Sequence, residues 1–121
     1  METDRKHPHG LKHVRHATLN ALAGLRAAWQ VEDAFRQEVL IAAIAIPVAL
    51  LSPASNIGKA LMIASILLVL IVELLNSALE AAVDHTSLER HPLAKRAKDI
   101  ASAAVLLSIL NAVVVWGLVL I

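Results

Sequence analysis

Three long apolar runs, separated by short polar stretches, set the pattern of the chain: residues 39–51, residues 60 to about 83, and residues 100–121. In the last run the only polar side chains are Ser102, Ser108 and Asn111. A segment needs roughly 20 predominantly apolar residues to cross a bilayer as a helix. The third run meets that length and the second exceeds it, while the first reaches it by taking in Ala34 and Phe35 upstream. The pattern therefore predicts three transmembrane helices, contained in about residues 34–51, 59–83 and 99–121. Pro47 falls inside the first, where neighbouring helices can satisfy the carbonyl it frees. Ser65, Ser108 and Asn111 are expected to hydrogen-bond between helices.

Upstream, residues 11–30 carry a different period. Leu11, Val14, Leu22, Leu25 and Trp29 fall within about 80° of one another at 100° per residue. Lys12, Arg15 and Arg26 flank that stripe. The arrangement predicts an amphipathic helix that lies in the membrane interface with its cations reaching headgroups, or that packs on the chain's own spans. Residues 1–10, with Pro8 and Gly10, read as a disordered tail. The expected fold is thus all-α and integral to the membrane: three transmembrane helices plus an N-terminal surface helix, in one membrane-embedded domain over residues 1–121.

Composition agrees, because 58% hydrophobic residues and a mean hydropathy of +0.68 exceed what a water-soluble domain of this size carries. The layout of charge adds a direction. Of 11 Lys and Arg, six precede the first span, four lie between Arg90 and Lys98, and one, Lys59, borders the remaining turn. The positive-inside rule then puts the N-terminus and the 84–99 loop in the cytoplasm and the 52–58 turn and C-terminus on the far side. No apolar signal core precedes residue 39, so the first span is expected to serve as the insertion signal, with the N-terminus retained. The absence of cysteine excludes disulfides, thiolate metal sites and cysteine nucleophiles. His7, His9, His13 and His16 lack a carboxylate or thiolate partner at a set spacing, so a zinc site is not expected.

The chemistry is concentrated in "VELLNSALEAAVD", residues 72–84. On a helix Glu73, Asn76, Glu80 and Asp84 project from one stripe about 80° wide, with Ser77 beside it. Each ionisable side chain deep in a membrane helix costs on the order of 2.5–3.5 kcal/mol, so several on one stripe need a common reason. Glu73 and Glu80 are two turns, roughly 10 Å, apart along the axis, which suits different parts in one extended site. The least costly placement sets the hydrocarbon boundary near Glu73, with residues 59–75 as the span and the following turns rising toward the cytoplasm.

Two further polar clusters face the same side. Glu32, Asp33, Arg36 and Glu38 stand just ahead of the first span, and Lys95, Arg96, Lys98, Asp99 and Ser102 open the third. Lys95 and Arg96 suit a solvated flank or lipid headgroups. Lys98 and Ser102 stand one above the other at i, i+4, pointing where the acids of the second helix emerge. Carboxylates able to hold Mg²⁺, a lysine able to grip phosphate and a carboxylate at the membrane rim form an inventory for phosphoryl transfer to a lipid. The chain's only glycines are Gly10, Gly24, Gly58 and Gly117, so a Gly-rich phosphate loop is excluded and metal and lysine must do its work. A proton-coupled transporter would also line a helix with carboxylates, but has no use for the Glu32 cluster, the Lys98 and Asp99 pair or a surface helix. A purely structural assembly protein leaves the acid stripe unexplained.

"RAAW", "FRQE", "VELLNSALEAAVD" and "AKRAKDIASAAVL" together resemble the small integral-membrane diacylglycerol kinases of bacteria, over nearly the whole chain from about residue 17. The resemblance implies a homotrimer in the bacterial inner membrane that moves the γ-phosphate of MgATP to diacylglycerol, giving phosphatidic acid and ADP. Its partners are then ATP, diacylglycerol and membrane lipids, with no nucleic acid. It further implies Glu73 as catalytic general base, Glu32 and Glu80 as ligands of Mg²⁺, and Asn76, Lys98 and Asp99 at the phosphates. Ala21, Leu22 and Ala23 replace polar positions of the family's surface helix, leaving Arg15 and Asn20 as the candidates for nucleotide contact there. Arg26, Trp29, Glu38 and Ser102 are assigned to the lipid substrate. A sister group with similar motifs phosphorylates undecaprenol instead; "FRQE" and "RAAW" favour the diacylglycerol branch.

Overall fold

The computed structural model describes residues 10–86 and 91–121, so that His7, His9 and Arg90 lie outside the described residues. Four helices follow in order: α1 Leu11–Val31, α2 Asp33–Leu51, α3 Asn56–Thr86 and α4 Pro92–Leu120. Two compact units result, the first ending at Val31 and the second comprising residues 32–121.

The first unit is α1. Gly10 opens it at φ 61, a left-handed conformation that disfavours any residue with a Cβ, and its carbonyl accepts a 3.1 Å hydrogen bond from the Val14 amide. A lone helix has no core, so the stripe of Leu11, Val14, Leu22, Leu25 and Trp29 needs an apolar environment that α1 does not itself supply.

In the second unit Glu32 interrupts the helical path as one extended residue, φ −105 and ψ 111, and α2 begins directly after it. Pro47 sits within α2 without ending it. The helix stops at Ser52, whose hydroxyl donates to the Ala49 carbonyl at 2.8 Å. Three residues on, the Ser55 hydroxyl caps α3 by accepting from the Gly58 amide at 3.0 Å. α4 has an equally local start: the His91 Nδ1 accepts from the Leu93 amide at 3.1 Å, and Pro92 takes the first helical turn, where its missing N–H costs nothing. This cap carries the helix seven residues ahead of Asp99, across the basic segment before the apolar run.

α2, α3 and α4 are each long and apolar enough to cross a membrane. At 1.5 Å per residue the 31 residues of α3 extend roughly 46 Å against a hydrocarbon core of about 30 Å, so part of it must lie outside the oil. α3 is the middle helix, packing against α2 and more extensively against α4. Small side chains let the backbones approach: Ala42 and Ala49 of α2, Ser65 of α3, and Ser108 and Ala112 of α4 are buried, and Met62 of α3 is fully enclosed. The Trp116 indole N–H clasps α4 to α3 by donating to the Met62 carbonyl at 3.1 Å. Near the helix ends a Cβ on Gly58 would come within 2.9 Å of Val119 Cγ1, which explains a glycine there.

One expectation is corrected. Ser65 and Ser108 do not bond between helices; their hydroxyls donate to carbonyls of their own helix, Met62 and Val105, both at 2.7 Å. A buried hydroxyl in an apolar interface finds its nearest acceptor one turn back, leaving its small volume to serve the packing.

Candidate functional site

Beyond Val69 the α3 stripe that makes the core changes character. At 100° per residue Glu73, Asn76 and Glu80 fall on the same face of α3 as Met62, Ser65 and Val69, so the polar row points where the apolar row points. Glu73 is 4% exposed and is the only buried charged side chain among the described residues. It opens onto a cavity of about 280 Å³ lined by Glu32, just ahead of α2, Ala34 from α2, Glu73, Asn76 and Glu80 from α3, and Ser102 and Val105 from α4. Each helix of the second unit therefore contributes one wall.

Charge accumulates around Glu73. Its carboxylate lies within electrostatic reach of Glu32, Glu80 and Glu38, and the Asn76 side chain donates a hydrogen bond to it. Asn76 Oδ1 is buried and has no hydrogen-bond partner among the described residues. Like charges gathered at a membrane boundary require a cation or a set of donors to hold them together. Glu32, Glu80 and the orphaned Asn76 oxygen are hard oxygen donors of the kind Mg²⁺ takes. No cluster of three or more His, Cys, Asp or Glu close enough to hold a metal occurs among the described residues. Mg²⁺ is commonly held by one or two carboxylates plus substrate phosphates, so this donor set fits an ion delivered with a nucleotide better than a cage made by protein alone.

A second cavity, about 340 Å³, continues the groove along α3. Its lining is apolar, with Ile41, Ile66, Val69, Leu70 and Ile109 among it, except for Gln37 and Glu38. Glu38 Oε1 is buried there without a partner among the described residues. Glu73 and Glu38 thus mark the junction between an oily groove and a polar one.

The remaining expected residues are placed differently. Lys98 lies outside the cavity lining and pairs with Asp84, Nζ to Oδ1 2.5 Å, joining the last turns of α3 to the first turns of α4. Asp99 also lies outside the lining and accepts from Lys95 at 2.7 Å on the exposed side of α4. Arg15, Asn20, Arg26 and Trp29 all lie on α1, in the other unit. Two wall residues, Ala34 and Val105, were not singled out in the sequence. Val105 follows Ser102 by three positions, a spacing that would have found it; Ala34 had no such signal because Glu32 breaks the helix before it.

Comparison with known proteins was consistent along the chain. The family profile described as Prokaryotic diacylglycerol kinase matches residues 19–120. A protein of Pseudomonas aeruginosa named Diacylglycerol kinase is 54% identical over 111 residues, covering 92% of this chain and 90% of its own length. Its Escherichia coli namesake is 50% identical over 97 residues, 80% of each chain. That of Haemophilus influenzae is 44% identical over 108 residues, covering 89% of this chain and 92% of its own.

Proposed function

Because the chain belongs to the prokaryotic diacylglycerol kinase family and is a lipid kinase of the bacterial inner membrane, we propose that the carboxylate cavity of α2, α3 and α4 is where phosphate passes from ATP to diacylglycerol. One observation carries this assignment: Glu73, buried, faces the same cavity as Glu32 and Glu80, at the junction with an apolar groove. An in-line transfer needs a base within hydrogen-bond reach of the attacking hydroxyl, and of the three acids on the carboxylate cavity Glu73 is the one next along α3 to the apolar groove. Its carboxylate accepts the hydroxyl proton as the lipid oxygen attacks the γ-phosphorus. Asn76, donating to the same carboxylate, fixes its orientation.

Glu32 and Glu80 would hold Mg²⁺, with the Asn76 oxygen as a further donor. Bound with the nucleotide, the ion supplies neutralisation of phosphate charge. Lys98 meets the phosphates from the cytoplasmic mouth, and Asp84 sets where its ammonium stands. Ser102, on the cavity wall, and Glu38, in the apolar groove, receive the polar head of the lipid. The N-terminus is cytoplasmic and the C-terminus periplasmic, on the strength of the Lys and Arg asymmetry. Three helices cannot enclose such a cleft on every side, so the reading requires neighbouring copies around it, and the family resemblance makes that assembly a homotrimer.

The test is product analysis with purified protein. With MgATP and dioleoylglycerol or a C55 polyprenol offered separately, phosphatidic acid is the expected product. Phosphorylation of the polyprenol alone would move the substrate to the sister branch.

A further inference from the structure

The oily groove is longer than the 340 Å³ cavity alone. Ile66, Ala112 and Val113 of its lining also line a further cavity of about 360 Å³, together with Ala45 and Trp116. The described lining of that far part is apolar but for the Trp116 indole, whose N–H is already given to the Met62 carbonyl. From Gln37 to Ala45 along α2 the two cavities together extend roughly 12 Å into the span.

Polarity is confined to the end beside the carboxylate cavity. Glu38, within electrostatic reach of Glu73, stands there with Gln37. Of the described side chains that line the 340 Å³ cavity, only Gln37 carries a donor that does not depend on protonation. Gln37 is exposed, and its amide makes no hydrogen bond to another described residue.

A diacylglycerol has this layout. Its hydroxyl is followed on the adjoining carbon by an ester, whose carbonyl can only accept, and then by a long hydrocarbon chain. The protein presents a carboxylate, an amide donor and an apolar trough in the same order. An ester drawn from the hydrated interface into such a trough loses water, a cost offset only where a donor meets it. A polyprenol offers a hydroxyl and then hydrocarbon alone, which would leave the Gln37 amide against carbon. We propose that Gln37 is a specificity residue for the lipid, its side-chain amide donating to an ester carbonyl of diacylglycerol while the acyl chain runs along the groove. The inference rests on the lipid kinase reading of the cavity and adds which part of the lipid is recognised. A site that hydrogen-bonds one group of its substrate discriminates against an analogue that lacks it.

The test compares dioleoylglycerol with its ether-linked counterpart, which keeps the hydroxyl and the hydrocarbon but lacks both carbonyls. Each is offered with MgATP to the purified protein in the same micelles. The unsubstituted enzyme is expected to favour the ester roughly threefold to tenfold in kcat/KM, through KM, the range of one hydrogen bond. Gln37→Met, apolar and close in shape, should raise the KM for dioleoylglycerol until that preference is below about twofold, and Gln37→Asn, which keeps an amide, should retain part of it. Both lipids are measured on one preparation, so the folded fraction cancels in the ratio. Equal use of the two lipids by the unsubstituted enzyme, a preference that survives Gln37→Met, or a fall in kcat equal for both lipids would each overturn the proposal. Phosphorylation of the C55 polyprenol alone would remove the reading on which it rests, whereas phosphatidic acid formed with an ester preference independent of position 37 would remove this inference only.

Discussion

The two halves of α3 share one stripe and put it to opposite uses. From Gly58 to Val69 the stripe is small or apolar, and α2 and α4 close on it until Met62 has no exposure at all. From Glu73 to Glu80 the same angular positions bear carboxylates and an amide, and a cavity stands between the helices instead. Backbone geometry does not change at the boundary, since α3 is one uninterrupted helix of 31 residues. Side-chain chemistry alone decides. Apolar groups exclude one another from nothing and pack; clustered carboxylates repel and must be left room for a cation and substrate. The closed half acts as a post that holds the open half in position.

The sharpest way to break this contrast is to remove charge from the open half. Glu80→Gln should lower turnover about a thousandfold and raise the Mg²⁺ concentration needed for half-maximal rate, with no loss of thermal stability. A steady-state magnesium titration beside a melting curve in the same micelles reads both. A loss of stability with unchanged magnesium dependence would make Glu80 structural.

Truncation in the closed half should do the reverse. Met62→Ala removes a fully enclosed side chain and is expected to cost about 2–3 kcal/mol of stability, while turnover per folded molecule at low temperature changes less than twofold. Equilibrium unfolding in denaturing detergent measures it. If activity fell in step with Glu80→Gln, the two halves would not be separable.

The smallest effect belongs to the link between them and the cytoplasm. Asp84→Asn leaves Lys98 its charge but loosens its 2.5 Å tether. An exposed ion pair contributes little to stability, so the expected outcome is a threefold to tenfold higher KM for ATP at near-constant kcat. Substitution by Glu should restore most of it. A fall in kcat with constant KM would instead place Asp84 in the chemical step.

How far such contrasts can be read from sequence depends on the distance over which they are set. The angular coincidence of Glu73, Asn76 and Glu80 is local, one helix at 100° per residue, and the structure gathers all three on one cavity. The length of the apolar runs is local too, and three spans follow from it. Lys95 and Asp99 stand at an i, i+4 spacing, a local signal passed over when Asp99 was assigned to the phosphates. The pairing of Lys98 with Asp84 left no such signal, because it depends on how the connection between α3 and α4 returns the chain. The serines were misread for the opposite reason: an acceptor one turn back competes with any acceptor on another helix, and proximity wins. The early start of α4 was hidden because its first turns are polar, although His91 and Pro92 spell out a cap and a first turn.

The account stands or falls on the buried acid at the boundary between the two halves. Glu73→Gln keeps shape and removes the proton acceptor, so kcat for dioleoylglycerol is expected to fall at least about a hundredfold while the KM for ATP stays within about twofold. A Glu73→Gln enzyme that turns over at the native rate would contradict it.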